Sequence, residues 1–247
     1  MTKKSYKFSI AGYKSLLSLF KTLGVNFRKF NDKLYDGTNV LLRHDIDFCP
    51  LRALRIAQIE RKMNIKSTFF FLVNTDFYNL NSYENKNVLK EIVNLGHEIG
   101  LHFDASTLKK INIINKVCKA EVKVLENLIE KKIYIISFHR PAEDVLLYEK
   151  RVADLEHTYM TKFIKKIDYC SDSQGDWRHN NPVNLLKSNK NKNYNLHLLL
   201  HPIWWTTPEN LSPAEKIAFH LKNKYKDIKK AASLNCKPYL EYIQNKR

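Results

Sequence analysis

Two hydrophobic periods alternate along the chain. Residues 40–44, 67–73, 98–103, 133–138, 167–171 and 196–201 are short runs rich in β-branched, aromatic or leucine side chains, and read as strands. Residues 51–63, 87–95, 113–129 and 211–234 carry apolar positions at helical spacing. Leu51, Leu54, Ile56, Ile59 and Met63 mark the first of these, with Pro50 at its start. Gly96 closes the second. Val117, Ala120, Val124 and Leu128 mark the third. Near the N-terminus, Leu16, Leu17, Phe20 and Leu23 predict an amphipathic helix that stops at Gly24. Strands followed by helices predict an α/β fold with a parallel sheet or barrel. No internal repeat or domain boundary interrupts the order, and a loop-rich insert is expected over 172–195. A single domain over 1–247 is expected, with helical extensions at both ends.

Composition narrows the class. Of 247 residues, 44% are hydrophobic and 12% aromatic, enough to bury a core and too many for a disordered chain. Cys49, Cys118, Cys170 and Cys236 form no C-x-x-C pair, so reduced thiols are expected. Lys3 and Lys4 resemble the start of a signal peptide, but Lys7, Tyr13 and Lys14 break up the apolar stretch such a peptide needs, so the expected location is cytoplasmic. The longest apolar run, 69–73, is far too short to span a membrane. Lys+Arg exceeds Asp+Glu by 42 to 25, a net charge of +17. The lysines are spread along an Asn- and Ile-rich chain, and no nucleic-acid-binding motif accompanies them. The charge suits an anionic substrate or peripheral contact with a membrane surface better than dedicated nucleic-acid binding.

In α/β folds the chemistry collects at the carboxyl ends of the strands, and polar residues stand there in this sequence. The first run ends Arg43-His44-Asp45-Ile46-Asp47. Two carboxylates two residues apart suit a base beside a metal ligand, although one Asp could equally cap the helix at Pro50. In the run Glu98 to Asp104, alternation puts His102 and Asp104 on one face and His97 on the other, making His102 and Asp104 the metal candidates. His139-Arg140-Pro141 ends the next run, with Arg140 able to grip a carboxylate. Asp172 and Trp177 come after the 167–171 run and suit a sugar. His201 leaves the last run before Trp204 and Trp205, where it can act as a general acid. His157, His179 and His220 read as ordinary surface or core positions.

The order H-D-I-D, S-T-F-F-F, G-H-E-I-G-L-H, S-F-H-R-P, D-S-x-x-D-W, L-L-L-H-P resembles the polysaccharide deacetylase family of carbohydrate esterases, in a branch associated with bacterial surface-polysaccharide biosynthesis. The resemblance covers about residues 38–206. It implies a distorted (β/α) barrel of about seven strands, and a divalent metal, commonly zinc. It also implies hydrolysis of acetyl groups on sugars. By position it makes Asp45 the catalytic base, Arg140 the arginine orienting that base, and His201 the general acid. It makes Asp47 and His102 metal ligands. The family's second metal histidine stands four residues after the first, where this chain has Ser106, so Asp104 or a water is expected to take that place. Trp177, Asp172, Trp204 and His139 are then expected to meet the substrate.

The reading is a metal-dependent hydrolase removing an acetyl or similar acyl group from an amino sugar, nucleotide- or lipid-linked or within a glycan. The alternatives are a non-catalytic glycan-binding protein on the same scaffold, and a small-molecule amidase or deformylase.

Overall fold

The computed structural model describes residues 7–106, 108, 110–141, 143–146, 148–178, 180–190 and 192–245, with the side chains of 143 and 144 left aside. Its strands are β1 (Asn26–Arg28), β2 (Thr38–Ile46), β3 (Thr68–Leu72), β4 (Glu98–Asp104), β5 (Ile135–His139), β6 (Glu156–His157), β7 (Asp168–Ser171) and β8 (Tyr194–Leu200). Its helices are α1 (Ile10–Thr22), α2 (Pro50–Lys62), α3 (Tyr83–Asn94), α4 (Ile111–Ile129), α5 (Glu143–Leu146), α6 (Thr161–Ile164), α7 (Pro182–Ser188), α8 (Pro202–Thr206), α9 (Pro213–Asn235) and α10 (Lys237–Gln244). Lys3 and Lys4 lie outside the described residues, as does His179.

The chain divides into two compact units, 1–206 and 207–247. In the first, seven strands form one parallel sheet in the order β6-β5-β4-β3-β2-β8-β7, and β1 also pairs with β2. Among the described residues no pairing joins β6 to β7, so the sheet curls as an open, half-barrel form of the (β/α) fold. The second unit is a helical pair. Ser212 opens α9 with a reciprocal capping box to Glu215, and Cys236 separates α9 from α10.

Each helix start and stop has a local cause. Ser9 accepts the Gly12 N–H to begin α1, and Gly24 lies at φ +74 just past its end, where a side chain would be strained. Ser82 caps α3, which begins at Tyr83, four residues before the expected start at 87, so the helix gains a turn. Cys49 stands at the start of α2 without a side-chain cap, and neither Asp45 nor Asp47 does that work. The expected loop over 172–195 contains α7, capped by Asn181 with Pro182 at its first position. All four cysteines are free.

Period-two alternation sorts β2 between two environments. His44 points to the helix side, 2.7 Å from Glu60 of α2. Arg43 and Asp45 point inward, where Leu41 and Phe70 pack with Phe30, Ile135, Met160 and Phe163 as the floor of the half-barrel. Gly100 on β4 makes that floor possible, because a Cβ there would lie 2.5 Å from the Phe70 ring and 2.9 Å from the Ile135 carbonyl. Arg43 sits over Phe70, with its guanidinium carbon 5.4 Å from the ring centre. The interior therefore grades from aromatic floor to charged rim along the strand direction.

Candidate active site

The rim is built by strand register. β2 pairs with β3, β3 with β4 and β4 with β5, so their carboxyl ends lie side by side. Asp47 comes just after the end of β2, His102 stands on β4 and His139 ends β5. The Asp47 Oδ1 lies 3.2 Å from His102 Nε2 and 3.4 Å from His139 Nδ1. One donor atom from each of the three falls within 4.8 Å of the other two.

These residues fit a divalent ion. Asp47 Oδ1 is buried, and among the described residues it faces two imidazole nitrogens without well-aligned hydrogen-bond geometry to either. Burial works to raise the Asp47 carboxyl, but His102, His139 and His201 outweigh it and hold it well below the usual carboxylate range. His102 Nδ1 lies 3.3 Å from the Ser137 carbonyl, which sets the ring so that Nε2 faces Asp47. Two imidazoles and a carboxylate form a donor set suited to zinc and neighbouring transition ions.

Asp104 is not the third member. It holds the Arg140 guanidinium in an ion pair and caps Ser106 N–H, while His139, expected at the substrate, sits with Asp47 and His102. Asp104 and His139 are register partners across β4 and β5, and it is the His139 imidazole, 3.4 Å from Asp47, that reaches the trio.

Asp45 is buried beside the trio, with Oδ2 3.5 Å from His102 Nε2. The arginine that grips it is Arg43, two residues earlier on the same face of β2, and not Arg140. Arg43 Nε donates to Oδ1 at 2.8 Å and Nη2 to Oδ2 at 2.6 Å. Arg43 also donates to Thr158 Oγ1 at 2.9 Å and to Ser137 Oγ. Burial would raise the Asp45 carboxyl, but the Arg43 charge and then His102 hold it below its ordinary value. Asp45 is thus kept anionic.

His201 completes the rim from the end of β8, with Nε2 3.8 Å from Asp47 Oδ2. Its other ring nitrogen lies 2.7 Å from Asp172 Oδ1. Asp172 is fully buried and also accepts the His201 backbone N–H at 2.9 Å and the Trp205 indole N–H at 2.7 Å. It therefore positions His201 and offers substrate no open atom, contrary to the sequence expectation. Burial alone would lower the His201 imidazole, and Asp172 overcomes this to push it up to about 9. His201 is accordingly protonated at neutral pH.

The tryptophans are also placed differently from expectation. Trp204 is buried in α8 and offers no ring face for a sugar. Trp177 is half-buried, its ring 5.7 Å from Phe8 and 6.0 Å from Trp205. A short helix immediately after His201 turns the tryptophans into packing. Sequence reasoning misses Arg43, although its spacing from Asp45 on one strand face is a usable signal.

A cleft of about 520 Å³ opens from Asp47 and His139, walled by Asn74, Asp76, Phe77, Asp104, Glu121 and Arg140 among others. This volume suits a small organic ligand such as a sugar unit.

Comparison with solved structures finds the following similarities. A family 4 pseudoenzyme from Bacillus anthracis, BA3943, matches with 16% identity and a TM-score of 0.41, over 82% of this chain and 64% of that one. The chain thus spans just under two thirds of that protein's length. The polysaccharide deacetylase Bc1974 from Bacillus cereus matches with 16% identity and a TM-score of 0.47, over 75% and 87% of the two chains. The deacetylase PplD of Streptococcus pyogenes matches with 14% identity and a TM-score of 0.46, over 84% of each. No protein-family model and no curated protein matches the chain. No described helix is long and apolar enough to cross a membrane.

Proposed function

We propose that this chain is a metal-dependent hydrolase that removes an acetyl or similar acyl group from an amino sugar in the making of a surface polysaccharide. One observation carries the reading. Asp47, His102 and His139 converge between Asp45, whose carboxylate Arg43 grips, and His201, whose ring Asp172 holds.

That is the division of labour amide hydrolysis needs. A divalent ion held by Asp47, His102 and His139 would supply Lewis acidity to the acyl carbonyl and to the attacking water. Asp45, held anionic by Arg43, would take the water's proton. His201, held protonated by Asp172, would give a proton to the departing amine, which must not leave as an anion. Asp45 and His201 thus have pKa values pushed apart by different partners, as an acid and base pair requires.

The test is metal content and acetate release on protein purified without chelator. About one transition ion per chain, lost in His139→Ala, together with acetate released from an N-acetylated amino sugar and abolished in Asp45→Asn, supports the reading. A chain that takes up no added zinc, or an Asp45→Asn variant with undiminished turnover, sinks it.

A further inference from the structure

The resemblance puts the base's arginine at Arg140, yet the structure has a different arginine there. Arg43 is 1% exposed and spends its N–H groups on both Asp45 oxygens, Thr158 and Ser137. Two parallel bonds fix a carboxylate in plane as well as in place, which an ammonium cannot do.

Arg140 is thereby released. Its side chain is 65% exposed and lies in the cleft wall, gripping Asp104. Its backbone stands at φ +47, a left-handed conformation that costs a non-glycine residue about 1–2 kcal/mol. Strain of this kind persists where the surroundings impose it, often at functional sites. Here it falls one residue after His139, at the mouth of the cleft.

Resting on the hydrolase reading, we propose that the two arginines divide the work. Arg43 is the positioning residue for Asp45. Arg140 is a specificity residue that contacts the part of the substrate lying in the cleft, beyond the reacting acyl group. The cleft's charge states what that part can be. Asp76 adds a carboxylate that forms no ion pair among the described residues, Glu121 adds a carboxyl that burial pushes up to about 7, and the Arg140 charge is already met by Asp104. Such a wall accepts the hydroxyls, amides or amino group of a neighbouring sugar unit, and repels a phosphate, despite the chain's net charge of +17.

The metal-loaded full chain would be assayed on p-nitrophenyl acetate, too small to fill the cleft, and on a tetrasaccharide of N-acetylglucosamine. Arg43→Lys is expected to lower kcat about 100-fold on both, with KM changed less than about twofold. Arg140→Ala is expected to raise KM for the tetrasaccharide about tenfold while leaving its kcat, and both constants for the ester, within about twofold. Should Arg43→Lys fail to fold, Thr158→Val removes one Arg43 anchor and is expected to lower kcat about threefold with KM unchanged. An Arg140→Ala that lowers kcat on both substrates overturns the proposal, because Arg140 would then serve the base. So does an Arg140→Ala without effect, an unchanged kcat in the folded Arg43 or Thr158 variant, or wild type that cleaves only the ester. Wild type that cleaves neither sinks the hydrolase reading and takes this inference with it. Cleavage of both without the KM and kcat split sinks this inference alone.

Discussion

Asp172 holds His201 from two sides: one carboxylate oxygen lies 2.7 Å from the ring Nδ1 and 2.9 Å from the same residue's backbone N–H. With the Trp205 indole on the other oxygen, Asp172 faces donors on every side. Asn cannot serve there, because its amide group would meet a donor with a donor. Asp172→Asn is expected to cost about 1–3 kcal/mol of stability for the unsatisfied group. It is also expected to slow acyl release about 100-fold or more, as the loss of a general acid does. Denaturant unfolding and acetate release measure the two effects.

The same pair makes a pH prediction for the metal-free protein. An imidazole raised from an ordinary value near 6.5 to about 9 stabilises the fold only while protonated. Its contribution is complete below the unfolded pKa and is lost as pH rises through about 9. A His201 ring titration followed by NMR should therefore have its midpoint well above neutrality in the apo wild type, and a lower one in Asp172→Asn. A wild-type midpoint at or below 6.5 would remove the protonated acid from the scheme.

Metal retention separates the trio from the sequence expectation. His139→Ala and His102→Ala should each weaken metal binding by at least about 10–100-fold, the loss that follows when only a ligand's own hydrogen-bond partner is removed. Ser106→Ala should leave metal content unchanged, since Ser106 donates to Asp104, which stands outside the trio. Asp104→Asn should also retain the ion, because Asp104 is committed to Arg140. Elemental mass spectrometry of the purified variants reads all four. Loss of metal from Asp104→Asn with retention in His139→Ala would make Asp104 the third ligand after all.

How much of the site is legible in the sequence depends on the range of the forces involved. Strand alternation alone separates His102 from His97: His102 faces Asp47, and His97 faces α2, with Nε2 3.0 Å from the Ala57 carbonyl. The long strands and helices announce themselves by period, whereas β1 and β6 have three and two residues and no period to read. The place of His139 depends on register between β2, β4 and β5, which joins segments far apart in sequence. The burial of Asp172 depends on how α8 folds back after β8, and no local pattern encodes that. Arg43 is legible, since it shares a strand face with Asp45, but Arg140 stands at a strand end beside a proline and is the more conspicuous candidate.

Gly100 tests the floor beneath the site. Alanine there would put a methyl group 2.5 Å from Phe70 and 2.9 Å from a backbone oxygen, and the backbone cannot retreat. Gly100→Ala is expected to destabilise by about 1–3 kcal/mol, as overpacking does. Phe70 also lies under the Arg43 guanidinium, so the same variant should disturb Asp45 and slow turnover. A Gly100→Ala protein with wild-type denaturation midpoint would show the floor to be looser than this packing.

A second buried charge lies on the helix side of the sheet, remote from the rim. Glu60 is fully buried, accepts from Tyr13 and from Ser67 at 2.5 Å, and has His44 at 2.7 Å and His97 at 3.5 Å. Burial would raise its carboxyl, and His44 with His97 and Ser67 hold it below its ordinary value. Such a group stabilises the fold above its unfolded pKa, and that contribution disappears as pH falls through the folded one. His97 adds to the acid limb: burial lowers its pKa, so the unfolded chain gains the proton first as pH drops below about 6.5. Stability should therefore decline from mildly acid pH downward. Glu60→Gln should cost about 3–5 kcal/mol at neutral pH, because it strips the charge from a buried network, and should flatten the acid limb. Denaturant midpoints measured from pH 4 to 8 check both, and an acid limb equally steep in the variant would assign it to other carboxylates.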